Sequence, residues 1–341
     1  MSEQYLIYGA ELSPYSVKIR AYFRYKEIPH KWIIRDQKSN TEYKKFAKLP
    51  IVPLVVTPEK TGLQDSTPII KLLEHEYQNN SVSPPETHTA FVARILEEYA
   101  DEWLNKAMFH YRWRYEDDQM SASERFVELM IPVWANKIPL LNRVLKRKFA
   151  ATIRKRMIAR LWVVGSNKST EIQIEQSLNI FLHLSEQHLQ DRPYFFGFRP
   201  SIADFGIWGQ VYNMWTDPTV GQVIESSHPE TLKWIKRMLH PKLEGEFEPW
   251  ESLEATLMPI LKKELADVFM PWLEANNKAL ATGEKELSLK IKGKDFTHSV
   301  GSPQKYHAKS FAMLLEEYND IPDKTKLDAV LQEAGLINYF K

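Results

Sequence analysis

The chain has 341 residues, 43% hydrophobic and 26% charged, with a formal net charge of +1. That is an ordinary globular balance, long enough for two domains, with no global field to recruit nucleic acid or an acidic membrane. There is no cysteine, which excludes disulfides, thiolate zinc sites, iron–sulfur clusters and any protein thiol as nucleophile.

Tyr5-Leu6-Ile7-Tyr8 reads as a short strand that runs through a turn into a helix. Ser13 is placed as the N-cap and Pro14 at the first helical position, where its missing N–H costs nothing. Val17, Ile19, Ala21 and Phe23 give that helix an apolar face to about Lys26. Pro29-His30 breaks it, and Lys31 to Ile34 is a second strand. Asn40 to Lys48 is helix-permissive. Ile51 to Val56 is β-rich with Pro53 inside, which suits an edge, a bulge or a strand entry. Thr61 to Gln64 turns into a short strand, and Asp65-Ser66-Thr67-Pro68 starts a third helix to about Tyr77. The order βαβαββα, with a parallel first pair and a closing hairpin, fits a small thioredoxin-like α/β domain over residues 1–80.

Asn79 to Glu86 is a polar, proline-bearing linker. Helical spacing then covers Thr89–His110, Ser123–Leu161, Ser169–Leu189, Ser201–Trp215 and Pro229–Leu239, an all-helical domain over residues 89–245. Residues 246–341 form an extension expected to pack on it: helix over Pro249–Leu280, a hairpin around Lys292-Gly293-Lys294, and helices over Tyr306–Tyr318 and Lys324–Ala334.

A helix N-terminus with a hydroxyl at its cap serves either to close the helix or to help hold an anion there. Ser13 is the candidate donor, with Tyr8 and Tyr15 as competing hydroxyls. Arg143 to Arg160 holds eight basic residues and no acid, read as a solvated helical face. Glu97-Glu98 and Asp101-Glu102 read as helix-surface charges. His183 and His188 are five apart, a poor spacing for one face, so no metal is expected. With no apolar run of the ~18 residues a span requires, and no secretory signal at Met1-Ser2-Glu3-Gln4, the expectation is a cytoplasmic chain without nucleic-acid or integral membrane association.

Four features in order resemble the glutathione transferase superfamily. They are Ser13-Pro14-Tyr15-Ser16 in the place of the family's catalytic Ser, Cys or Tyr; Val52-Pro53 as its cis-proline strand entry; Gln64-Asp65-Ser66 as the acidic-Ser pair opening the third helix; and Gly197 to Asp204 as its G-x-x-x-[ST]-x-x-D motif. The resemblance covers about residues 1–245. It implies glutathione as co-substrate, with Ser13 holding the thiolate, Val52 bonding the cysteinyl part through its backbone, Pro53 cis, Asp65 pairing the ammonium and Ser66 the α-carboxylate. Ser201 and Asp204 would form a structural capping box. Tyr15, Tyr111 and Trp113 would border the pocket for a small hydrophobic electrophile, in a homodimeric detoxification enzyme. One departure stands out: Pro50-Ile51 replaces the family's glycine turn and its polar residue before Val, leaving Lys38 or Lys48 to meet the glycyl carboxylate. A non-catalytic binding or scaffold protein on the same fold is the alternative.

Overall fold

The structure, a computed structural model, describes residues 4–130 and 139–341. Its N-terminal part runs β1 (Tyr5–Gly9), α1 (Pro14–Tyr25), β2 (His30–Ile34), α2 (Asn40–Phe46), β3 (Leu54–Val56), β4 (Gly62–Gln64) and α3 (Ser66–Glu76). The four strands lie in the order β2-β1-β3-β4. β1 and β2 are parallel, as a strand–helix–strand crossover requires, and β3 is antiparallel to both β1 and β4. Strand alternation sends Tyr5, Ile7 and Val55 into the main core with α1 and α3. Tyr8, Leu54 and Val56 go to the other face, under Tyr43 and Phe46 of α2.

After the linker come α4 (Thr87–Tyr99), a π-helical turn over Ala100–Leu104, and α5 (Asn105–Arg114). Then follow α6 (Glu116–Met130), α7 (Pro139–Ile158), α8 (Glu171–His188), α9 (Ile202–Trp215), α10 (Pro218–Ser227) and α11 (Pro229–Arg237). The stretch expected as one helix over Ser123–Leu161 thus contains two, and its part at residues 131–138 lies outside the described residues. α10 stands where no helix was expected, opened by Pro218 at its first position.

α9 is the hub, and it works by close approach. A Cβ on Gly209 would lie 2.7 Å from the Pro14 carbonyl oxygen, and one on Gly206 2.9 Å from Glu97 Cγ. Glycine here lets α9 meet the first turn of α1 and the side of α4. The capping box at its start is present: the Asp204 carboxylate accepts from the Ser201 N–H at 2.8 Å, and also from Phe195 N at 2.9 Å and Trp234 Nε1 at 3.0 Å.

The C-terminal part runs α12 (Trp250–Ile260), a π-helical stretch over Leu261–Phe269, α13 (Met270–Thr282), the hairpin β5 (Glu286–Ile291) and β6 (Lys294–Ser299), then α14 (Ser302–Asn319) and α15 (Thr325–Ala334). Pro259 supplies no N–H to the helical ladder just ahead of the π stretch. The tail returns to both earlier parts. α14 and α15 pack on α4, and Glu317 of α14 meets Arg94 of α4 at 3.3 Å and Lys71 of α3 at 3.6 Å.

Candidate functional site

The register fixes what shares one end of the sheet. Tyr8 pairs with Leu54 and Leu54 with Gln64, so Gly9, Pro53 and Asp65 follow in one row. Two strand spacings, about 10 Å, span that row. The turn holding Ser13, the loop entering β3 and the start of α3 therefore gather beyond the carboxyl end of β1, where the strand order switches.

Ser13 caps α1. Its backbone is extended, and its Oγ accepts from the Ser16 N–H at 3.3 Å. Capping uses the hydroxyl only as acceptor, so its proton stays free to donate, and closing the helix does not preclude holding an anion. The turn is tied from the helical side: buried Arg112 donates to the Leu12 carbonyl at 3.0 Å and pairs with Asp217 at 2.6 Å.

The other two hydroxyls are committed elsewhere. Tyr8 faces α2, its ring edge-on to Tyr43 at 6.0 Å. Tyr15 donates to the Asp101 carbonyl at 2.9 Å, and burial with the nearby Asp101 charge pushes its phenol well above the usual range.

The Val52–Pro53 peptide bond is cis, as the resemblance implies. The Val52 N–H and C=O form no backbone hydrogen bond, so this peptide unit is open to a peptide-like ligand. The loop before it is braced from below. Gln64 accepts from the N–H groups of Lys48 and Leu49 at 2.9 Å each and donates to the carbonyls of Leu49 at 2.8 Å and Ile51 at 3.1 Å. The Tyr43 hydroxyl reaches the same two carbonyls, and the Ile51 side chain stands exposed with Lys38 and Lys48.

At the start of α3, Asp65 has φ +83° and its carboxylate makes no cap hydrogen bond. The N–H groups of Ser66 and Thr67 bond no backbone carbonyl, which leaves the positive end of the helix available to a carboxylate. The Asp65 carboxylate instead accepts from the Tyr306 hydroxyl of α14, 241 residues away. Nothing in the local pattern announces Tyr306, because the tail reaches this place only through tertiary packing.

The acids of α4 and of the π-helical turn after it are not the surface charges expected. Glu97, Glu98, Asp101 and Glu102 are all buried; α9 and the tail pack on this stretch, and Lys18 of α1 and Thr67 of α3 reach Glu97. Lys18 of α1 bonds Glu97 and Asp101, the latter at 2.6 Å, and lies 3.4 Å from Thr67 Oγ1. Against the cost of burial, Lys18 and Arg94 hold Glu97 down to about 2. Burial, only partly offset by Lys18, pushes Asp101 up to about 7. His307 of α14 bonds Glu102. A signal existed: Lys18 stands four and seven residues ahead of Tyr22 and Tyr25, on the buried stripe of α1.

Tyr111 and Trp113 are both buried. Trp113 is 1% exposed, packed 6.0 Å from Phe126 and 6.4 Å from Phe109, and Tyr111 stacks on Tyr115 at 5.4 Å. Core packing takes both, since α5 is buried on nearly every side. Among the described residues no group of three or more His, Asp or Glu is arranged to hold a metal, and no helix is long and apolar enough to cross a membrane.

A βαβαββα sheet with a cis-proline at the entry to β3, followed by a mostly helical remainder, defines a thioredoxin-like N-terminal domain joined to helices. Residues 7–81 match the family model described as glutathione S-transferase, N-terminal domain. No curated protein matches the chain.

Among solved structures it is similar to a glutathione S-transferase from Methylobacterium radiotolerans in complex with glutathione sulfonate, at 16% identity over 72% of this chain and 99% of that one, TM-score 0.43. It is also similar to a tau-class enzyme from mango, Mangifera indica, at 15% identity over 70% and 89%, TM-score 0.44. A third is a glutathione transferase from Phanerochaete chrysosporium in complex with oxidized glutathione, at 14% identity over 70% and 91%, TM-score 0.41.

Proposed function

We propose that the chain binds glutathione and presents its thiol, as a thiolate, to a small hydrophobic electrophile. The observation that carries this is the set of unspent groups at one end of the sheet: the Ser13 hydroxyl proton, the Val52 peptide unit and the Ser66 and Thr67 N–H groups. Each answers one part of a tripeptide thiol. The helix start takes the α-carboxylate, with Asp65 beside it for the ammonium. Val52 bonds the cysteinyl unit, Pro53 shapes the approach to it, and Ser13 donates to the sulfur. A free thiol has a pKa of ~8.5, and lowering it by two units takes ~2.7 kcal/mol. One charge-assisted hydrogen bond at a helix N-terminus is of that order.

Tyr15 borders the electrophile's side of the site. The braced loop offers no cation at Ile51, so the glycyl end is held by Lys48 or by water, and glutathione affinity is correspondingly modest. Isothermal titration with glutathione at millimolar concentration tests the reading, and absence of binding refutes it. The family's homodimer is carried as part of the proposal, with sedimentation velocity as its check.

The Tyr306–Asp65 contact favours a second reading, in which the tail occupies the ammonium's place and the fold serves as a non-catalytic binding protein. Turnover of an activated haloarene separates the two. The first requires glutathione-dependent turnover that falls in Ser13→Ala; the second requires none.

A further inference from the structure

The structure turns the basic run of α7 into a surface. Of its eight cations, Arg143, Arg147, Lys148, Lys155, Arg156 and Arg160 are exposed. None of these six forms a salt bridge among the described residues, whereas Lys146 pairs with Glu128 of α6 at 2.5 Å. The inner side of α7 is spent on packing, with Leu145, Phe149, Ala150 and Ile153 against Val127.

The outer side is not a plain solvated face. Val144, Lys148, Ala151, Lys155 and Ile158 recur at i, i+4, i+7, i+11 and i+14, one continuous stripe. Its ends are apolar, Val144 at 47% and Ile158 at 39% exposed, and Trp162 follows in the next turn at 45%. A face built for solubility interleaves acids with its cations four residues apart. Here Arg143 faces Arg147, like charges that disfavour the helix.

We propose that α7 docks the protein peripherally on an anionic lipid surface. The cations meet headgroup phosphates and carboxylates, and Val144, Ile158 and Trp162 enter the interface beside them. A helix of this length is about 30 Å long and lies flat on such a surface. Nucleic acid offers the same phosphates but leaves the apolar ends of the stripe in water, so the lipid surface is the better fit. The remainder of the chain is net acidic, which leaves α7 as the side that faces the membrane.

The test is co-sedimentation of the full chain with vesicles of phosphatidylcholine containing about one third phosphatidylserine. Binding is expected there, lost in phosphatidylcholine alone and weakened by added salt. Lys148→Glu with Lys155→Glu should weaken it at least about thirty-fold, each cation being worth ~1 kcal/mol. Val144→Asn with Ile158→Asn should weaken it while keeping the salt dependence. Absence of binding to the anionic vesicles overturns the proposal. So does equal binding to neutral ones, or binding to a nucleic-acid oligomer but not to vesicles. Should the charge-reversed protein misfold by circular dichroism, the lipid and salt comparisons on the unchanged chain decide alone. Glutathione titration of the same variants stays unchanged whichever way the vesicle result falls.

Discussion

Tyr306→Phe removes one oxygen and should make glutathione bind more tightly. The Tyr306 hydroxyl donates to the Asp65 carboxylate, the group assigned to the ligand's ammonium, so ligand and tail compete for one acceptor. A hydrogen bond to a charged group is worth about 1.5–3 kcal/mol. Tyr306 is 48% exposed, water competes for both partners, and about 0.5–1 kcal/mol is the expected net value. The dissociation constant should fall about two- to fivefold. Isothermal titration of the parent, Tyr306→Phe and Asp65→Asn reads this directly. Asp65→Asn should all but abolish binding, which establishes that the carboxylate is used. If it does so while Tyr306→Phe leaves affinity unchanged or weaker, the tail does not compete for the site and the reasoning is refuted.

Ser13→Ala should lower turnover of an activated haloarene at least about tenfold with little change in KM for glutathione. The acid limb of its pH profile, where the rate rises as the thiol ionises, should move up by about one to two units as the thiol returns toward ~8.5; an unmoved profile removes Ser13 from the chemistry. Gly209→Ala places a Cβ 2.7 Å from the Pro14 carbonyl, and should cost about 1–3 kcal/mol in urea unfolding and displace the turn bearing Ser13; an unchanged midpoint would show that α1 yields freely. His188 is buried, bonded to the Phe195 carbonyl and to Thr256, and burial with Arg192 nearby holds it down at about 3. A base lowered on folding contributes stability that is full above its unfolded value of ~6.5 and lost as pH falls toward 3. Unfolding free energy should therefore drop between pH 6.5 and 4, with His188→Gln flattening the slope by up to ~1.4 kcal/mol per pH unit.

Features that depend on a few neighbouring residues were legible in the sequence. Ser13 and Pro14 start α1, Lys292-Gly293 turns the hairpin, and Asp204 bonds the Ser201 N–H three residues back. Each is decided by local backbone chemistry. The acids of α4 and of the π-helical turn after it were misread because their burial is decided by α1, α9 and a tail more than two hundred residues downstream. Glu97 and Asp101 look the same on an exposed helix as beside Lys18. Trp113 and Tyr111 likewise read equally well as pocket or core until α6 and α8 are in place. Tyr306 had no sequence signal at all, since its role depends only on where α14 comes to rest.

Lys18 belongs to the thioredoxin-like part and its counter-charges to α4 and the π-helical turn after it. A chain severed in the linker between them would yield one piece with a bare ammonium in an apolar seam and another with stranded carboxylates. The thioredoxin-like half could not be grafted onto a foreign helical partner unless that partner carried acids four residues apart at the same height. The joint behaves as a keyed coupling, and recombination at this boundary would be tolerated only between proteins that keep both halves of the key.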